Sequence, residues 1–184
     1  LPNGINLNDV MLQAAAGRQY YRLFFQDPGV AEADFEQDVR KSMLGVLYSF
    51  SGDIVRDGVH AGGWDGHFPK NETMSEQLIL PEKLPTWLTE EDLAFYVQEH
   101  SATGFSGGFN WYRNIKRLPS HLAPFIGKSL DQPAMYLYGE HDLVAGNTQE
   151  AIDVMQASLS DLRKCVRFEG AGHWLQQELS LIHI

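Results

Sequence analysis

Two short apolar runs with a helix-length segment between them constrain this chain more than anything else in it. Pro133-Ala134-Met135-Tyr136-Leu137-Tyr138 is closed by Gly139, and Lys164-Cys165-Val166-Arg167-Phe168 is closed by Glu169-Gly170. Each has the length and apolar content of a strand buried in a parallel sheet. The residues from about Asn147 to Leu159 read as the helix joining them, which makes a βαβ unit. Two strands cannot bury such faces alone. The expectation is therefore an α/β protein in which helices come first and the chain ends in the last corner of a larger sheet.

The preceding residues support that order. From Val30 to about Phe50 the pattern is helical: Val30, Phe35, Val39, Met43 and Val46 recur at threes, fours and fives, with acids crowding the front, where the helix dipole favours them. Residues 52–87 are rich in Gly, Pro and Asp and carry no sustained period, as expected of a functional loop or lid segment. Thr89-Glu90-Glu91-Asp92 opens a second helix to about His100. A third runs from Gly107-Gly108 through Trp111, Tyr112, Ile115 and Leu118 to Pro119. Composition excludes several partners. A formal net charge of −10 argues against nucleic acid or an anionic membrane. No stretch approaches the roughly 18–20 apolar residues of a membrane span. The single cysteine, Cys165, makes no intrachain disulfide, which suits a cytoplasmic protein, and no Cys/His spacing suggests a metal. Leu1 is not a start methionine, so the reading frame is expected to begin upstream.

Two residues behind the strands can carry chemistry. Asp142, in Gly139-Glu140-His141-Asp142, follows the first strand, and His173, in Gly170-Ala171-Gly172-His173-Trp174, follows the second. Catalytic groups of open α/β sheets gather at the carboxyl ends of strands. A carboxylate that orients an imidazole is what a catalytic triad requires.

With Tyr138-Gly139-Glu140-His141-Asp142 and Gly170-Ala171-Gly172-His173-Trp174, the chain resembles the acid and histidine motifs of the α/β-hydrolase family. Tyr21 with Phe25-Gln26-Asp27-Pro28-Gly29-Val30-Ala31-Glu32, and Asn110-Trp111-Tyr112-Arg113-Asn114, are similar to lid motifs of soluble epoxide hydrolases. The resemblance implies an incomplete α/β-hydrolase fold, a helical lid followed by the last strands of the parallel sheet. Residues 1–19 would connect the core to the lid, 20–130 would form the helical cap, 131–178 the C-terminal part of the core, and 179–184 a non-native tail. That tail, Leu179-Ser180-Leu181-Ile182-His183-Ile184, resembles the translation of a transposon-end sequencing adapter.

Roles follow from the same resemblance. Tyr21 and Tyr112 match the tyrosines whose hydroxyls hold the epoxide oxygen, Asp142 the acid, and His173 the water-activating base. Trp111 and Trp174 are candidates to line the pocket, whereas Tyr20, Tyr48, Tyr96, Tyr136 and Tyr138 read as packing. The implied reaction opens a small apolar epoxide with water to a vicinal diol through an aspartyl ester, with no metal or cofactor. The family's nucleophilic aspartate and its oxyanion segment precede the lid, and neither motif is present here, so the chain alone is expected to be inactive. Gly104-Phe105-Ser106-Gly107-Gly108 matches a serine-hydrolase elbow in letters, but a helical pattern precedes it rather than a strand. Gly63-Trp64-Asp65-Gly66 has too short a glycine spacing for an elbow. A haloalkane or fluoroacetate dehalogenase and a non-catalytic hydrolase-like binding protein are the alternative readings.

Overall fold

The protein is described from a computed structural model, in which residues 17–61, 63–142 and 149–179 are described. The expected connection therefore falls mostly, and the expected tail except Leu179, outside the described residues, as does the start of the helix placed at Asn147. The chain divides into two units: one comprises residues up to Val46, Gly66–Leu80 and Glu90–Pro124, and the other Leu47–Asp65, Pro81–Thr89 and the residues from Phe125 onward.

The first unit opens with strand β1 (Gln19–Tyr20), which runs directly into the one-turn helix α1 (Tyr21–Phe24). Asp27-Pro28-Gly29 then turns the chain, with Gly29 in the left-handed region at φ +86°, which a residue without Cβ adopts readily. Helix α2 (Val30–Phe35) follows, and helix α3 (Val39–Ser49) begins after a break at residues 36–38. The single helix expected from Val30 to about Phe50 is thus two. Asp38 caps the second by accepting the Lys41 amide at 2.9 Å, and Val30 is 49% exposed, so the five-residue step from Val30 to Phe35 never belonged to one stripe.

Helix α4 (Asp53–Arg56), strand β2 (His67–Phe68) and helix α5 (Met74–Gln77) are the short elements in the stretch without periodicity. β2 pairs antiparallel with β1, Gln19 opposite Phe68 and Tyr20 opposite His67. Asp34 of α2 holds α5 by accepting both the Ser75 amide, at 3.0 Å, and the Ser75 hydroxyl. Helix α6 (Glu90–Thr103) extends three residues past His100 and ends where the Gly104 amide donates to the His100 carbonyl at 2.8 Å. Helix α7 (Ser106–Asn114) tightens into a 3₁₀ turn at Ile115–Arg117 and gives way to helix α8 (Leu118–Leu122). Pro119 does not terminate the helical stretch, because it sits in the first turn of α8, where its missing amide is no loss.

Aromatic side chains form this unit's core. Phe25 stacks on Phe109 at 4.3 Å, and Phe35 meets Phe105 and Phe109 edge-on at 5.4 and 5.3 Å. Such pairs each add about 0.5–1.5 kcal/mol to the burial of their area.

In the second unit, strand β3 (Ala134–Gly139) and strand β4 (Leu162–Phe168) lie parallel, with helix α9 (Gln149–Ala157) between them in sequence; a final turn, α10 (Leu175–Glu178), follows. The pairing starts at Ala134 opposite Leu162, shifts register by one, and runs from Met135 opposite Lys164 to Gly139 opposite Phe168, so the two strands end level. A run apolar on both sides is the composition of a strand covered on both faces. Here β3 alternates instead: Met135 and Leu137 are 62% and 45% exposed, the open faces expected of two strands by themselves. The physical reason is that, among the described residues, the sheet has two strands and packs one face. The loop leading away from α3 is held by Tyr48, whose hydroxyl donates to Asp57 at 2.9 Å, and by Trp87, whose indole N–H donates to buried Asp53 at 2.8 Å. Among the described residues, no helix is long and apolar enough to cross a membrane.

Candidate functional site

Level strand ends put the loops after β3 and β4 side by side, and three backbone-directed bonds lock them. The Glu140 amide donates to the Phe168 carbonyl at 2.9 Å, the His141 amide to the Ala171 carbonyl at 2.9 Å, and the Gly170 amide to the Glu140 carboxylate at 2.9 Å. That last bond is the main reason the Glu140 carboxyl is held below its ordinary pKa, with the Arg167 ion pair adding to it. The lock brings buried Asp142 against His173, with Asp142 Oδ1 3.0 Å from His173 Nδ1. A carboxylate is acceptor only, so Nδ1 carries the proton and the neutral ring's lone pair lies on Nε2. The edge of the Trp174 ring packs against the imidazole at a centroid distance of 4.8 Å, and Phe50 lies 6.2 Å from it. Trp174 is itself fixed, its indole N–H donating to the Leu47 carbonyl at 2.9 Å.

The other two candidates stand in the first unit. Tyr21 opens α1 and is buried, Tyr112 lies near the end of α7, and their rings meet edge-on at 5.8 Å. Burial raises the Tyr112 pKa, with the neighbouring Tyr21 adding to the effect, so its phenol stays protonated at neutral pH. Burial likewise raises Tyr20 to about 12, where the ring stacks on His67 at 4.7 Å. Arg22 donates from Nε to the Tyr21 hydroxyl oxygen at 2.9 Å, so the Tyr21 proton must point elsewhere. Gln26 ties the two segments, donating to the Arg22 and Tyr112 carbonyls at 2.9 and 3.0 Å.

Behind this pair lies a buried ion pair that sequence reasoning did not find. Arg113 Nη1 sits 2.8 Å from Glu32 Oε1 and Nη2 donates to Oε2 at 2.8 Å, with side chains only 11% and 10% exposed. Arg113 Nε also donates to the Phe25 carbonyl at 3.0 Å. The Arg113 bonds, ahead of any other cause, hold the Glu32 carboxyl at about 2 rather than 4.5. The partners are 81 residues apart, and no local pattern announces such a pair. Ser106 belongs to the same cluster: it opens α7 after another helix, and its hydroxyl donates to Glu32 Oε1 at 2.9 Å. Trp111 is 83% exposed and borders an open cavity of about 540 Å³, also lined by Asn110, Tyr112, Ile115 and Leu118. One pair of the four proposed catalytic residues therefore stands in each unit. Among the described residues no cluster of three or more His, Cys, Asp or Glu could hold a metal ion.

Comparison with known proteins places this arrangement in a family. No profile of a known protein family matches the chain. It is 33% identical over 161 residues to epoxide hydrolase A of Mycobacterium tuberculosis, covering 86% of this chain and 48% of that protein. It is 32% identical over 166 residues to epoxide hydrolase 1 of Siraitia grosvenorii, covering 88% and 49%. Among solved structures, an epoxide hydrolase from an endophytic Streptomyces matches with a TM-score of 0.87 at 30% identity, over 97% of this chain and 53% of that one. Epoxide hydrolase A from Mycobacterium thermoresistibile matches with a TM-score of 0.76 at 32% identity, over 98% and 56%. The chain thus spans about half the length of the curated relatives it matches. On the sequence and structural matches together, it belongs to the epoxide hydrolases of the α/β-hydrolase fold.

Proposed function

We propose that this chain supplies the oxygen-holding and water-activating groups of an epoxide hydrolase, whose nucleophilic carboxylate is carried by a part of the hydrolase outside these 184 residues. The nucleophile attacks an oxirane carbon and breaks its C–O bond. Tyr21 and Tyr112 hold the oxygen, one of them giving it a proton, and a covalent ester results. Water then loses a proton to His173 Nε2 and attacks the ester carbonyl. The acyl–oxygen bond breaks, the leaving alkoxide takes the proton back from the imidazolium as the diol departs, and the proton left on the nucleophile's carboxyl returns to the tyrosinate. Asp142 keeps the ring in the tautomer that leaves Nε2 basic. Residues 20–130 serve as the cap and 131–178 as part of the core, with Trp111 and Trp174 lining the substrate's path.

The observation that carries this reading is the 3.0 Å contact of Asp142 with Nδ1 of His173, which leaves Nε2 as the base. Two experiments test it. In the complete hydrolase, Tyr112→Phe and Tyr21→Phe are each expected to slow ester formation at least about tenfold, and the double variant roughly 10²–10⁴-fold, because a positioned acid contributes on that scale. A Y112F enzyme with undiminished turnover would favour dehalogenase chemistry, in which a halide rather than an alkoxide leaves. The purified 184-residue chain, incubated with styrene oxide, is expected to release no diol above the uncatalysed rate. Clear diol formation would place the nucleophile within this chain and overturn the assignment.

A further inference from the structure

Glu178 closes the short helix α10, and its carboxylate faces back toward the loop that carries His173. Oε2 accepts two backbone amides, those of Gly52 and Gly172, each at 2.9 Å, and Oε1 accepts the Trp174 amide at 3.0 Å. Two of these donors flank His173 in sequence. The third belongs to the segment whose Phe50 carbonyl accepts the His173 amide at 2.9 Å. The backbone approach is close enough that a Cβ on Gly172 would fall 2.5 Å from the Ser51 carbonyl carbon, so no other residue fits there unshifted. One carboxylate therefore gathers the loop on both sides of the imidazole and the strip it rests on. Hydrogen bonds to a charged acceptor are the strong ones, and this group makes three.

We propose that Glu178 is the positioning residue of the water-activating step: it sets the His173 backbone so that the ring meets Asp142 and presents Nε2 to water. This rests on the reading of His173 as the base. Glu178 touches none of the reacting atoms and works through the loop alone. Because His173 acts after the ester has formed, loss of Glu178 slows one half-reaction and spares the other.

The experiment is rapid-mixing mass spectrometry of the complete hydrolase, wild type against Glu178→Gln and Glu178→Ala, with styrene oxide as the probe. Glu178→Gln keeps the shape but turns an NH₂ toward an amide N–H. Ester formation is expected to stay within about twofold of wild type. Ester hydrolysis is expected to slow about tenfold for E178Q and about 10²-fold for E178A, the scale on which a 1 Å misplacement acts. The ester, seen as enzyme plus one epoxide mass, then accumulates. A merely structural role would depress both half-reactions together and accumulate nothing, and that result overturns the proposal, as does E178Q hydrolysing its ester at the wild-type rate. If the wild type forms no ester at all, the hydrolase reading fails separately. The positioning claim is then decided by the His173 Nδ1 proton in ¹⁵N-edited NMR: slow exchange in wild type and fast exchange in E178Q support it, and identical spectra sink it.

Discussion

Replacing His173 by Gln is expected to stall the complete hydrolase at the ester, lowering steady-state turnover by roughly 10²–10⁴-fold while leaving the first burst of ester formation intact. A glutamine amide can still donate to Asp142, so the pocket keeps its hydrogen bond, now 3.0 Å from Oδ1 to the ring it replaces. What it lacks is a basic nitrogen on the far side. Asp142→Asn is expected to give a similar block by another route. Its amide would offer a donor to Nδ1, drawing the proton to Nε2 and removing the lone pair that water needs. Single-turnover kinetics with mass detection of the ester checks both. Turnover by H173Q within tenfold of wild type would remove the histidine from the mechanism.

The second large effect concerns the buried pair behind the tyrosines. Arg113→Met is expected to cost about 3–5 kcal/mol of stability at neutral pH, because it strands the Glu32 carboxylate, 10% exposed, without its partner. A carboxyl at about 2 in the folded protein and near 4.5 when unfolded corresponds to roughly 3 kcal/mol. The sign follows from the depressed value. That contribution is fully present above about 4.5 and is lost as the pH falls toward about 2, so acid unfolding of the wild type should steepen in this window. Glu32→Gln should be less stable at pH 7 and should lack that part of the acid dependence. Replacing both partners by apolar residues of similar size should recover much of the loss, since an uncompensated buried charge causes it. Urea unfolding of the complete hydrolase between pH 7 and 2 measures all of this. An R113M midpoint shift worth less than 1 kcal/mol would mean that water already screens the pair. The same guanidinium binds the Phe25 carbonyl and sits beside Tyr112 in sequence.

Several features are legible in the sequence because each rests on a local rule. The two strands, the helix between them and their parallel pairing follow from short apolar runs bounded by Pro and Gly. Helix α6 is announced by its acidic first turn. Asp142 and His173 are candidates because they stand behind strands within motifs, and Tyr21 and Tyr112 because of motifs alone. Two local patterns are overridden by single residues. The Asp38 cap split one expected helix into two, and Pro119 opened a helix instead of closing one.

What the sequence by itself determined is the inventory: an α/β chain of the epoxide hydrolase family, the order of its elements, and the candidates proposed as acid, base and oxygen-holding phenols. Tertiary structure alone decided which of them touch and what holds them. Asp142 and His173 are 31 residues apart and meet because two parallel strands end level and their loops exchange backbone bonds. Glu32 and Arg113 meet across 81 residues, and Glu178 reaches Gly52 across 126, without any periodicity to reveal them. Periodicity and capping describe forces acting within a few residues of one chain segment. A carboxylate that takes an amide from the other end of the chain answers only to the packing that brings the two together.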